Sequence, residues 1–154
     1  MLQFDENGNL TPYQSIETTM AEFEKTFVSN FPRSQTRPAI FENYLRYLSD
    51  LKALVGGGFF QFLNGSFVTR KLNPADLDVV TFLDFDWIEA HETELRPFKT
   101  AGFYPRVDGY FEKTYPENHP FFARYRADLA YWHQIFIRSR FQKPKGFIKL
   151  IFEP

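Results

Sequence analysis

The hydrophobic period of this chain first changes at Gly56-Gly57-Gly58, and that change decides what it can fold into. Upstream, apolar residues recur three and four apart, the spacing that lays side chains along one face of an α-helix. Ile16, Met20, Phe23, Phe27 and Val28 make one stripe, which Ser15 or Thr18 would cap and Pro32 would end. Ile40, Tyr44, Tyr47, Leu48, Leu51, Leu54 and Val55 make a longer one, predicting a helix from about Thr36 or Pro38 to Val55. Downstream the short apolar runs of strands take over, at Phe59 to Leu63 and Leu77 to Leu83. A helix from Trp87 to Phe98 and a strand from Arg106 to Thr114 follow. Phe122, Tyr125, Leu129, Trp132 and Phe136 are then spaced as on a helix, and Phe147 to Phe152 is a last apolar segment. Helices, then strands mixed with helices, predict an α+β fold: a mixed β-sheet of about four to five strands with helices packed mainly on one face. One domain is expected over residues 1–154, with N-terminal helices over 1–56 and the sheet with its helices over 57–154.

Charge and composition narrow the function. A formal net charge of −1 lacks the electrostatic footprint of a general nucleic-acid binder, so long nucleic acid is not an expected partner. The absence of Cys excludes disulfides and thiol chemistry and agrees with a reducing compartment. The start lacks a basic segment followed by an apolar run, and nowhere do 18 apolar residues stand together, so a soluble, cytoplasmic chain with no membrane partner is expected. The 20 Phe, 8 Tyr and 2 Trp read as an aromatic-rich core rather than a base-stacking surface.

The most informative stretch runs from Leu63 to Val80. It sets a Gly65-Ser66 turn after one apolar run, and Asp76 and Asp78 at alternate positions where the next run begins. Residues i and i+2 of a strand point to one face, so the two carboxylates converge. Paired carboxylates repel unless a cation or proton lies between them, and hard oxygen ligands suit Mg²⁺ or Mn²⁺. Gly65 can take backbone angles closed to other residues, while Ser66 offers an amide and a hydroxyl to a phosphate. Such a turn beside a metal pair is what phosphoryl transfer requires. Alone, a Gly-Ser turn or an Asp-x-Asp is most often structural; the combination is much rarer.

These residues resemble the signature of the nucleotidyltransferase superfamily of polymerase-β-like fold: an apolar strand, Gly-Gly or Gly-Ser, a gap, then acid-apolar-acid-apolar. Here the gap is the nine residues Phe67 to Ala75, followed by Asp76-Leu77-Asp78-Val79. From about Asn30 to Leu150 the pattern is similar to short stand-alone bacterial and phage-borne nucleotidyltransferase-like proteins. The resemblance implies an enzyme that moves a nucleoside monophosphate from a nucleoside triphosphate onto an acceptor hydroxyl, with Asp76 and Asp78 as metal ligands. It also implies a third carboxylate from a later strand, for which Asp108 is the first choice and Glu112 the second, and a Lys near the turn, matched by Lys71. A partner protein or a homodimer could supply the domain that larger members add.

Other candidates are weaker. Arg70, Lys143 and Lys145 could meet phosphate, but each alone is more often a solvated charge. Asp84 and Asp86 lie six or more residues past Asp78, ~20 Å away along a strand, and read as a solvated end or a helix cap. His91, His119 and His133 lack zinc-ligand spacing. The competing reading is a non-catalytic nucleotide- or protein-binding module of a toxin–antitoxin or phage-defence pair.

Overall fold

A computed structural model describes residues 1–154. Five strands form a mixed sheet in the order β3 (Ser15–Glu17), β7 (Phe147–Phe152), β4 (Phe59–Asn64), β5 (Leu77–Asp84), β6 (Val107–Thr114). β4 runs antiparallel to both β5 and β7, whereas β3 pairs parallel with β7 and β6 parallel with β5. The fold is α+β. A separate ribbon of β1 (Gln3–Phe4) and β2 (Leu10–Thr11) frames the N-terminal turn.

Strand alternation sorts the sheet's two faces. Odd positions of β4 and β5, with Ile148 and Leu150 of β7, meet α1 (Met20–Glu24), α2 (Arg37–Val55), α3 (Phe85–Ala90) and α4 (Glu92–Lys99) in a core of 23 buried residues. Phe62, Val80, Phe82 and Phe147 face the other way, onto α5 (Phe122–Phe136). Helices therefore pack mainly on one face, with α5 alone on the other. No helix is long and apolar enough to cross a membrane.

Three local readings of the sequence differ from the structure. Ser15–Glu17 is not a helix start but the edge strand β3, with Ile16 beside Ile148 of β7. Ile16 stands at helical spacing from Met20 only because both meet the same core; Thr19 is the cap, its hydroxyl accepting from the Glu22 amide at 3.2 Å. After α1 the chain continues as a π-helical turn, Lys25–Ser29. The expected helix from Trp87 to Phe98 is two helices. His91 breaks it: its Nδ1 lies 2.8 Å from the Trp87 carbonyl, the acceptor that its own amide would use in a continuing helix, and its ring stacks on Trp87.

Candidate functional site

The register of three strands assembles the site. Asp78 is the second residue of β5, where it faces Asn64 of β4 and Asp108 of β6. Asp76 stands just before β5, and carboxylate oxygens of Asp76, Asp78 and Asp108 all lie within 4.8 Å of one another. Asp76 and Asp78 are half-buried and Asp108 is exposed. Burial, reinforced by the charges of Asp76 and Asp108 and opposed by Lys145, pushes the Asp78 carboxyl up to about 7. Burial and Asp76 raise Asp108 in the same direction. Glu112 is not part of this cluster; it accepts from the indole Nε1 of Trp132 at 3.0 Å.

The Gly65-Ser66 turn is built around Asp76. Gly65 has φ 86°, and a Cβ there would stand 2.9 Å from the Asp76 carbonyl and 3.1 Å from the Asp78 amide, so only glycine lets the two segments close. The Ser66 amide and hydroxyl donate to Asp76 Oδ1 at 3.0 and 2.7 Å, and the same hydroxyl accepts from the Ala75 amide at 2.9 Å. The two donors expected to face a phosphate thus hold a carboxylate in place.

A buried lysine stands beside the turn, at a position the sequence marked only as a weaker phosphate candidate. Lys145 is 4% exposed and its Nζ donates to the Gly65 carbonyl at 3.1 Å. Burial pushes its ammonium down to about 8 against the pull of Asp78 and Asp76. Lys71, the lysine matched by motif, is exposed and lines the same cleft, as does Arg70. The cleft, about 1040 Å³, runs from the N-terminal turn past Gly65, Ser66, Asp76 and Asp78 to the segment after α5, where Lys143 lies. Asp108 borders the cluster from outside that lining.

Arg37 is the residue sequence reading missed most completely. Its side chain is fully buried without an acid partner, and burial pushes it down to about 10. Its three nitrogens instead donate to the carbonyls of Phe27, Phe67, Thr69 and Lys71 at 2.6–3.1 Å, and its guanidinium stacks 4.0 Å from the Phe31 ring centroid. A planar fork of five N–H donors suits this role. It ties the loop after Gly65-Ser66 to the start of α2.

Asp84 caps α3, accepting from the amides of Asp86 and Trp87 at 2.9 and 3.3 Å. His91, His119 and His133 pack against aromatic rings, in three separate places.

Fold and site together define an α+β domain whose mixed sheet brings three carboxylates together at one end of two parallel strands. Residues 2–151 match the family DUF6932, described as a family of unknown function, and the chain belongs to that family. No curated protein and no solved structure matches it.

Proposed function

We propose that this chain is a divalent-metal-dependent nucleotidyltransferase, moving a nucleoside monophosphate from a nucleoside triphosphate to an acceptor hydroxyl. The observation that carries the reading is the convergence of Asp76, Asp78 and Asp108 beside the Gly65 turn. An all-oxygen donor set in which burial and like charge already oppose the ionised form of Asp78 fits Mg²⁺ or Mn²⁺. Asp76, Asp78 and Asp108 would hold the metal, which when bound would supply neutralisation of the charge on the reacting phosphoryl group.

The remaining work falls to the chain's own groups. Ser66 fixes Asp76, and Lys145 braces Gly65, so the turn and the carboxylates keep one geometry. Lys145, with Arg70 and Lys71 along the cleft, adds positive charge where a triphosphate would lie. Asp108, the most open of the three acids, is the group to take the acceptor's proton. The acceptor oxygen bonds the α-phosphorus, the α–β anhydride bond breaks, and pyrophosphate leaves.

One observation favours the second reading, a non-catalytic module acting with a toxin–antitoxin or phage-defence partner. The Ser66 donors already bond Asp76, so a phosphate would have to displace that carboxylate to reach them. Incubation with each α-labelled nucleoside triphosphate and Mg²⁺ or Mn²⁺, with and without cell lysate, separates the two. Transfer of label that falls to background in the Asp76→Ala, Asp78→Ala double variant supports the enzyme; no transfer under any condition rejects it.

A further inference from the structure

The cleft holds a cationic wall larger than a nucleotide requires. Arg70, Lys71, Arg138, Arg140 and Lys143 line it, and all five are exposed. None is within 4.0 Å of a carboxylate, since the chain's one ion pair is Lys113 with Glu89. With Lys145, six of the chain's 18 Lys and Arg border this cleft, against the four acids Asp5, Glu6, Asp76 and Asp78. Asp5 is itself engaged, accepting from the Tyr13 hydroxyl and the amides of Asn7 and Asn9. A chain of net charge −1 has thus gathered a local cationic excess where the carboxylates open.

Beside this wall stands an aromatic ring held out of the core. Phe141 is 78% exposed, the most exposed aromatic of the chain, on the lining of the same cleft. The loop that carries it is fixed from within. The Ser139 hydroxyl accepts from the amides of Phe141 and Lys143, and the Ser139 amide donates to the Lys143 carbonyl at 2.8 Å. Gln142 takes φ 62° to close the turn, and the Lys145 amide ties the loop's end to the Ile137 carbonyl at 2.8 Å. An apolar ring displayed by a self-bonded loop, among unpaired cations, has the composition of a surface that stacks a base and holds its phosphates.

We propose that Arg138, Arg140, Phe141 and Lys143 form the acceptor subsite of this cleft, and that the acceptor is the end of a single-stranded nucleic acid. Its role as acceptor rests on the transfer reading; its binding does not. Phe141 stacks a base near the end, the three cations hold the flanking phosphates, and the terminal hydroxyl reaches the carboxylates. The cleft, about 1040 Å³, is at the upper limit of the ~300–1,000 Å³ usual for one small ligand, leaving room for a second. An acidic peptide would match the charges and leave the ring unused. The near-neutral chain around the cleft limits the contact to a few phosphates, so a short end is bound rather than a long strand.

The test is fluorescence anisotropy with labelled single-stranded oligonucleotides, on the order of 12 nucleotides long to span one such site, with RNA and DNA as separate arms. Three phosphate contacts give a slope of about −2 in log affinity against log salt. Phe141→Ala should weaken binding roughly 5-fold or more. The Arg138→Ala, Arg140→Ala, Lys143→Ala triple variant should weaken it roughly 10-fold or more and flatten the slope. All four side chains are exposed, and circular dichroism verifies that the variants keep the fold. Asp76→Ala, Asp78→Ala should still bind, so oligonucleotide binding without any transfer would count against the transfer reading alone. The subsite is overturned if neither RNA nor DNA binds the wild type better than the triple variant, or if Phe141→Ala binds like the wild type. Label transferred to a protein by a chain that binds no oligonucleotide would overturn it equally.

Discussion

The face of the sheet under α2 and the face under α5 are built on opposite terms. The core on the α2 face has 23 buried residues, and most polar groups inside that layer are bonded: Tyr44 donates to Gln61 at 2.6 Å, Gln61 to Thr81 at 3.0 Å, and Arg37 to four carbonyls, with the buried Tyr47 hydroxyl left without a partner. Under α5 only five residues form the buried cluster, and at its end three carboxylates converge beside a buried lysine. One face lowers the free energy of the fold, and the other carries charge that opposes folding. The difference teaches that a frustrated site needs a scaffold close at hand: Asp78 and Val79 are neighbours in β5, yet one faces the acids and the other the large core.

The comparison breaks first at Arg37. Arg37→Met keeps much of the volume but leaves the carbonyls of Phe27, Phe67, Thr69 and Lys71 without their donor, which should cost about 4 kcal/mol. Urea unfolding checks it, and a loss under about 1 kcal/mol would mean that water enters freely and the layer is no rigid support. Gly109→Ala, in β6 on the same face, should cost somewhat less, about 2–3 kcal/mol. The added methyl would stand 2.2 Å from the Phe98 carbonyl and 2.6 Å from the Tyr47 hydroxyl, so α4 must move away. A thermal melt unchanged by this substitution would show that α4 is loosely seated.

How much of this was legible in the sequence depended on the range of each signal. The long α2, the strands from Phe59, Leu77 and Val107, and α5 follow from local period, which burial on one or both faces imposes directly. Asp76 and Asp78 are two residues apart, so their convergence is a local property too; Asp108 came only through the family resemblance, as the acid that opens the next strand-like segment, and joins them because β6 lies beside β5. The edge strand Ser15–Glu17 was hidden because its three residues pair with Phe147 to Lys149, more than a hundred positions away. Arg37 was hidden for a stronger reason. Its partners are backbone carbonyls, which every residue owns, so no residue pattern marks them. Lys145 was visible only as a charge in a turn, and its burial beside Gly65 depends on how β7 enters the sheet. The run Arg138-Ser-Arg-Phe-Gln-Lys143 was readable as cations interrupted by an aromatic ring, but thirty aromatic residues in the chain made a core the natural place for Phe141.

The comparison is sharpened most finely by making the α5 face more stable. Asp78 holds its proton up to about 7 in the fold, against an ordinary carboxyl value of 3.8 in the unfolded chain. The folded state thus binds that proton more tightly, and stability should be lost as pH rises through the window between those values. Asp78→Asn removes the titrating group. At pH 4 the variant and the wild type should therefore differ little, whereas at pH 8 in a chelator the variant should be more stable by about 1–2 kcal/mol, the open cleft softening what the shift alone implies. Adding Mg²⁺ or Mn²⁺ at pH 8 should raise the melting temperature of the wild type and leave that of Asp78→Asn nearly unmoved, because ligand binding to the fold adds stability by mass action. If Asp78→Asn instead destabilises the metal-free protein at pH 8, the carboxylate is a structural partner like Arg37, and the contrast between the two faces does not hold.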